Sequence, residues 1–152
     1  MADEGTAAGG EDRALRETLA AEHAAVWGYG VVGAALPPEV RAPAGAGEQA
    51  HRDVRDRVAA LLDDRDADPV PAEAGYALPV PVLSAVDAAA LAVVLEEGVS
   101  ATWAALLDAA GQSAVRQLAV DALGAAEVRA VAWRAAAGRS PVTAALPGLP
   151  PD

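Results

Sequence analysis

Prolines divide this 152-residue chain into stretches that can each form an α-helix. Pro37 and Pro38 end the first stretch, because proline lacks the N–H that continues a helical hydrogen-bond ladder. Four further prolines make residues 66–83 extended, and at about 3.1 Å per residue such a segment can run the length of a helical bundle. Gly111 divides the remainder in two. The sequence therefore predicts an all-α protein of four helices, joined by a short, a long and a short connection.

The expected helices have clear ends except at the start of helix 2. The predicted ranges are 11–36 for helix 1, up to about 64 for helix 2, 84–110 for helix 3 and 113–137 for helix 4. Pro43 and two nearby glycines weaken the start of helix 2, where we expect a kink or a frayed turn. Ser84 is a predicted N-cap with Asp87 three residues on, and Gly138 suits the position after helix 4. The predicted organisation is a disordered acidic tail (1–10), the bundle (11–138) and a proline-rich surface tail (139–152).

Charge and composition exclude several classes of function. The net charge is -11, whereas phosphate binding needs clustered Lys and Arg, so neither nucleic acid nor an anionic membrane is an expected partner. The absence of Cys excludes disulfides and thiolate chemistry. The N-terminus lacks the apolar region of a secretory signal, and no apolar run is expected to span a bilayer. We therefore expect a cytoplasmic protein.

A carboxylate interrupts the apolar stripe that is predicted for helix 1. At steps of three and four residues this stripe reads Leu15, Leu19, Glu22, Val26 and Tyr29. Burying an ionised carboxylate is costly unless another group pairs with it. A metal ion is one such partner, and a Glu combined with a Glu-x-x-His pair is a known way to build a metal site inside a helix bundle.

Acidic side chains or a histidine occur at similar distances from the hairpin turns on all four helices, which places them at one level of the bundle. On helix 2, Glu48 and His51 share one face because residues three apart are neighbours. Carboxylates with imidazole suit iron or manganese, and zinc also accepts such ligands. The predicted metal ligands are Glu22, Glu48, His51, Glu96 and Glu127, with Glu97 as the alternative to Glu96.

The same residues also suit a polar cluster without metal. His51 can hydrogen-bond to Glu22 or Glu48, and such a cluster would satisfy the buried carboxylate. His23 follows Glu22 directly and points about 100° away, which indicates a surface or interface position. The three Trp side chains and Tyr29 are expected to pack in the core or at an interface, since the chain contains no Phe.

Three segments carry a resemblance to a known group of proteins. They are AEHAAVWGYG at residues 21–30, HRDVRD at 51–56 and YALPV at 76–80. The chain resembles the ferritin-like superfamily, and within it a family of unknown function made of small alanine-rich domains from high-GC bacteria, over roughly residues 13–138. The resemblance implies a four-helix bundle of ferritin-like topology and no established activity. The full di-metal pattern has a second Glu-x-x-His, but Ala130 stands three residues after Glu127, which disfavours a complete di-metal centre.

Two functional hypotheses follow from these observations. In the first, the chain is a binding or structural module without a complete di-metal centre and without an assured cofactor. In the second, it is a metal-binding protein, mononuclear and loaded with iron or manganese, with redox chemistry. The sequence slightly favours the first, does not decide whether the protein is an enzyme, and names no protein or small-molecule partner. Because its many alanines fill little core volume, we expect a homodimer through an Ala- and Leu-rich helix face.

Overall fold

The computed structural model describes the backbone of residues 2–150 and the side chains of residues 9–150. Its helices are α1 (Ala2–Ala35), α2 (Ala42–Asp63), α3 (Ala85–Ala109) and α4 (Ser113–Ala136), with one 3-10 turn at Pro38–Val40 between α1 and α2. No strand occurs in these residues. The predicted all-α four-helix bundle is confirmed. The outermost residues of the two predicted tails, residue 1 and residues 151–152, lie outside the described part of the chain.

Local sequence signals set most of the helix ends. Ser84 caps α3, and its Oγ accepts a hydrogen bond from the backbone N–H of Asp87 at 3.1 Å. Gly138 has a φ of +68° after α4, a left-handed conformation that glycine adopts without strain. The uncertain start of helix 2 is resolved as the 3-10 turn, after which Pro43 lies in the first turn of α2, where a missing N–H costs nothing.

The predicted start of helix 1 at Glu11 is too late, since α1 begins at Ala2. No proline interrupts the intervening segment, so the helical ladder can continue towards the N-terminus. Glu11 therefore does not lie in the first turn of α1, where an acid would favour the positive end of the helix. Its carboxylate accepts hydrogen bonds from the backbone N–H groups of Gly111 and Gln112 and pairs with Arg65. Glu11 therefore ties α1 to the α3–α4 connection and to the end of α2.

The packing of the helices is unequal around the bundle. α1 packs against α2 and α3, and α3 packs against α1 and α4, whereas α2 and α4 do not form a closely packed pair. α3 runs antiparallel to α1, because Trp103 meets Glu22 while Gly111 meets Glu11. The segment between α2 and α3 therefore crosses the length of the bundle. The result is two helical hairpins joined by a long proline-rich crossover, with a wider gap on the α2–α4 side.

α3 is long and apolar enough to cross a membrane by length and composition alone, contrary to the sequence-based expectation. The buried core helix of a soluble protein passes the same test. α3 packs against two other helices and carries Glu96 in its buried face. These contacts bury part of α3 inside the bundle.

The core consists of two apolar clusters, one towards each end of the bundle. The first apolar cluster includes Leu15, Leu19, Val58, Leu62, Val99, Trp103, Leu106, Val115 and Leu118. The second apolar cluster includes Tyr29, Val32, Leu36, Leu91, Val93 and Trp133. Along each helix the two clusters occupy different stretches, and a short interval separates them. On α2, α3 and α4 that interval contains the charged residues described next, whereas on α1 the charged residue lies between Leu19 and Ala25 of the first apolar cluster.

Candidate functional site

A buried ionic layer lies between the two apolar clusters and receives one charged side chain from each helix. Its members are Glu22 of α1, His51 of α2, Glu96 of α3 and Arg129 of α4. Glu22, His51 and Glu96 are almost completely buried. The layer therefore contains two carboxylates and two basic groups in the middle of the core.

His51 is the centre of the ionic layer. Its Nδ1 lies 2.7 Å from Oε2 of Glu22, and its Nε2 lies 3.2 Å from Oε1 of Glu96, with only 1% of the side chain exposed. Burial alone would lower the pKa of the imidazole, but the hydrogen bonds and charges of the two carboxylates outweigh it and raise the pKa to about 9. His51 is therefore an imidazolium at neutral pH, and both of its ring nitrogens donate hydrogen bonds.

Glu96 receives the largest number of donors. Arg129 binds it with two parallel hydrogen bonds, 2.7 Å from Nε to Oε1 and 3.1 Å from Nη2 to Oε2, and the Tyr29 hydroxyl also donates to Oε1. Burial raises the pKa of Glu96, but the bonds from His51 and Arg129 more than compensate and hold it below its usual value. Burial and the neighbouring Glu96 raise the pKa of Tyr29, so the phenol keeps its proton and remains a donor.

Two indole N–H groups complete the hydrogen bonding of the layer. Trp103 Nε1 donates to Oε1 of Glu22 at 2.8 Å, and Trp133 Nε1 donates to the Tyr29 hydroxyl at 2.8 Å. Each oxygen of Glu22 therefore has a donor. Tyr29, Trp103 and Trp133 lie in the core as expected, whereas Trp27 is half-buried. Two of the buried aromatic side chains also donate to the carboxylates, which the sequence did not indicate.

The structure brings together three of the five predicted metal ligands and separates the other two. Glu22, His51 and Glu96 meet, and Glu96 rather than Glu97 is the interior acid of α3. Glu48 instead pairs with Arg52 one turn along α2. Glu127 pairs with Arg134 at 2.7 Å. Glu127 and Arg129 are two positions apart, about 200° of helical rotation, so they face different sides of α4.

Arg129 is the residue of the layer that sequence reasoning missed. The signal was present, because Arg129 stands in an otherwise apolar stripe of helix 4 with Ala122, Ala126 and Trp133 at steps of three and four. This is the same kind of exception as Glu22 in helix 1. Among the described side chains, no set of three His, Asp or Glu residues has an arrangement suited to a metal ion. The position opposite Glu96 is taken by a guanidinium.

Arg129 also connects the layer to the surface. It is 24% exposed and lines a cleft of about 400 Å³ at one end of the bundle, which we call the Arg129 cleft. The other walls are apolar and come from the ends of α1 and α4 and the starts of α2 and α3: Leu36, Val40, Pro43, Ala85, Val86, Ala89, Ala132, Trp133 and Ala136. The cleft therefore presents an apolar surface with one polar group, and that group is held in place by Glu96.

Comparison with known proteins places this chain among uncharacterised relatives. No curated protein matches the sequence. The structure is similar to the crystal structure of a conserved hypothetical protein, rv2844, from Mycobacterium tuberculosis. The TM-score is 0.81 and the sequence identity 38%, over 84% of this chain and 96% of the mycobacterial chain. The domain of unknown function DUF4439 matches residues 14–151, so the chain belongs to this family.

Proposed function

We propose that this protein is a non-enzymatic binding module, which takes an apolar small molecule into the Arg129 cleft and uses the ionic layer as a structural element. The observation that carries the proposal is the position of Arg129. This side chain neutralises Glu96 inside the bundle and at the same time lines the cleft. The layer thereby fixes the one polar group that a ligand in the cleft would meet.

The charges of the layer support a structural role. Two carboxylates face one imidazolium and one guanidinium, so the buried charges cancel without any added ion. Removing one partner of a buried ion pair typically destabilises a protein by about 3–5 kcal/mol, because the other charge remains buried without compensation. Each helix contributes one member, so the layer also discourages any sliding of one helix past another.

The dimensions and chemistry of the cleft support ligand binding. Its volume of about 400 Å³ falls within the range of about 300–1,000 Å³ that is typical of small-molecule sites. Val40 and Val86 are both more than half exposed on its walls. An apolar ligand would remove this surface from water and gain roughly 25 cal/mol for each Å² that it covers.

The donors of Arg129 define the polar part of the ligand. Nε and Nη2 donate to Glu96, whereas Nη1 has no acceptor among the side chains that the structure describes. A ligand oxygen can accept from Nη1. The chain carries a net charge of -11 and Glu96 is close by, so an uncharged carbonyl fits better than a carboxylate. The proposed ligand is therefore an apolar molecule with a neutral hydrogen-bond acceptor.

Calorimetric titration of the full chain with three phenylalkyl probes of similar length tests this proposal. We expect 4-phenylbutan-2-one to bind more tightly than butylbenzene, which lacks the acceptor, and than 4-phenylbutyrate, which is anionic. Ala132→Trp should fill the cleft and abolish binding. Ala135→Trp is the matched control, because Ala135 is exposed on the same helix and does not line the cleft. Failure of the ketone to bind, or equal binding to the Ala132→Trp protein, would contradict the proposal.

The second candidate function is the iron or manganese protein with redox chemistry. The meeting of Glu22, His51 and Glu96 favours it. The donor set does not fit, however, because His51 uses both ring nitrogens between the two carboxylates and Arg129 covers both oxygens of Glu96. The other two predicted ligands form ion pairs instead, Glu48 with Arg52 and Glu127 with Arg134. We therefore rank the metal hypothesis below the binding module.

The remaining expectations from the sequence belong to this proposal. Two hairpins with a long crossover support a ferritin-like origin of the bundle.

A homodimer would use the outer face of α4, where Val120 and Val128 are exposed on either side of Gly124. Sedimentation should then show a dimer at micromolar concentration that Val128→Glu dissociates, and a monomeric wild type would contradict it. The cytoplasmic location stays a prediction, as does the absence of nucleic acid and membrane partners.

A further inference from the structure

The C-terminal segment, residues 139–150, folds back onto α3 and α4. Arg134 donates through Nη1 to the Val142 carbonyl at 2.9 Å, and the Ala144 N–H donates to Glu127 at 3.2 Å. A Cβ on Gly148 would lie 2.5 Å from the Ser100 carbonyl oxygen, so only glycine permits this approach. The proline-rich C-terminal tail that the sequence predicted on the surface therefore packs against α3 and α4.

A cavity of about 560 Å³ remains between this segment and the two helices. Ser100 of α3 lines it, and this residue is 2% exposed. Its hydroxyl is the one buried side-chain polar atom, among those described, that has no hydrogen-bond partner. Leaving a buried hydroxyl unpaired costs stability, and such exceptions in folded proteins commonly mark a bound water or ligand.

Charged residues lie at the same cavity and carry a net negative charge. Glu97, Glu127 and Arg134 all line it, so two carboxylates face one guanidinium. Glu127 is held by Arg134 and by the Ala144 N–H. Glu97 is bound more loosely: Arg134 approaches only Oε1, at 3.3 Å, and 49% of the side chain is exposed. Glu97 can therefore accept a further donor.

We propose that this cavity is a second ligand site, which binds an organic cation consisting of an amine attached to an apolar body. The ammonium group would donate to the hydroxyl oxygen of Ser100 and to Glu97. The apolar body would lie against Leu146, Pro147 and Leu149 of the C-terminal segment. A carboxylate or phosphate would meet two acidic side chains and is excluded by charge. The site is independent of the Arg129 cleft, which has no carboxylate on its walls.

Titration of the full chain with 4-phenylbutylamine, 4-phenylbutan-1-ol and 4-phenylbutyrate tests the inference. We expect the amine to bind, the alcohol to bind at least about tenfold more weakly, and the carboxylate not to bind. A hydrogen bond that involves a charged group raises binding affinity by roughly tenfold or more. Ser100→Ala and Glu97→Gln should each weaken amine binding by about tenfold. Amide chemical shifts should change at Ser100 and Gly148 on addition of the amine.

Two variants distinguish a loss of the binding site from unfolding and from a general effect of a Ser→Ala change. Ser100→Ala removes an unpaired hydroxyl and should melt no lower than the wild type, so a loss of binding would not reflect unfolding. Ser113→Ala is the matched control, because Ser113 is exposed at the start of α4 and does not line the cavity. The proposal is overturned if millimolar amine does not bind, if the carboxylate binds as tightly, or if Ser100→Ala leaves the affinity unchanged.

Discussion

Replacing His51 with glutamine should remove a pH-dependent part of the stability. The pKa of His51 is raised from 6.5 to about 9 in the folded protein. At about 1.36 kcal/mol for each pKa unit, the protonated histidine contributes on the order of 3 kcal/mol to the free energy of unfolding. Because the folded pKa lies above the unfolded one, this contribution is fully present below pH 6.5 and is lost as the pH rises through about 9. Glutamine carries no proton that titrates in this range.

Urea denaturation of both proteins between pH 6 and pH 10 measures this contribution. The free-energy difference between wild type and His51→Gln should be larger at pH 6 than at pH 10 by about 3 kcal/mol. His23→Gln is the matched control, because it removes the other histidine, which contacts the Val70 carbonyl rather than the ionic layer. A difference between wild type and His51→Gln that stays constant across this pH range would refute the reasoning, since His51 would then not be an imidazolium held by two carboxylates.

Two further substitutions test the packing and hydrogen bonding around the layer. Gly47→Ala would place a Cβ 2.5 Å from the ring of Tyr29 and should destabilise the protein by about 1–3 kcal/mol in urea denaturation. Gly45→Ala, on the same helix with open space around it, should be neutral or stabilising. Equal effects of the two would contradict the close approach of α2 to Tyr29. Trp103→Phe deletes the donor to Glu22 and should lower the thermal midpoint by an amount equivalent to about 1–3 kcal/mol; an unchanged midpoint would show that Glu22 does not depend on this bond.

The sequence predicted the framework because its signals are local. Proline, glycine and the Ser84 cap act within a few residues, and they placed α3 and α4 within one residue of their observed ends. Helix 1 was predicted too short because the signal used for its start was an acidic residue, Glu11. In the structure Glu11 binds groups that are a hundred residues away in the chain, which no local pattern reveals.

The ionic layer was predicted only in part for a related reason. The number of residues from the hairpin turn gives the level of each residue along the bundle, and this distance placed Glu22, His51 and Glu96 at one level. The direction of each side chain depends on how the helices are rotated, which counting does not give. Glu127 was therefore selected on helix 4, although Arg129 is the residue that faces Glu96. Arg129 is not a possible metal ligand, but its guanidinium neutralises Glu96 as a bound metal ion would.

Metal content measured by inductively coupled plasma mass spectrometry tests most directly the claim that the protein's own cations neutralise the layer. The protein would be purified without chelator, incubated with Fe(II), Mn(II) and Zn(II), desalted, and compared with a Glu22→Ala/His51→Ala variant. We predict far less than one metal ion per chain in both proteins, because His51 and Arg129 already pair with the carboxylates. Nearly one metal ion per wild-type chain, lost in the variant, would contradict the account and restore the metal-binding hypothesis.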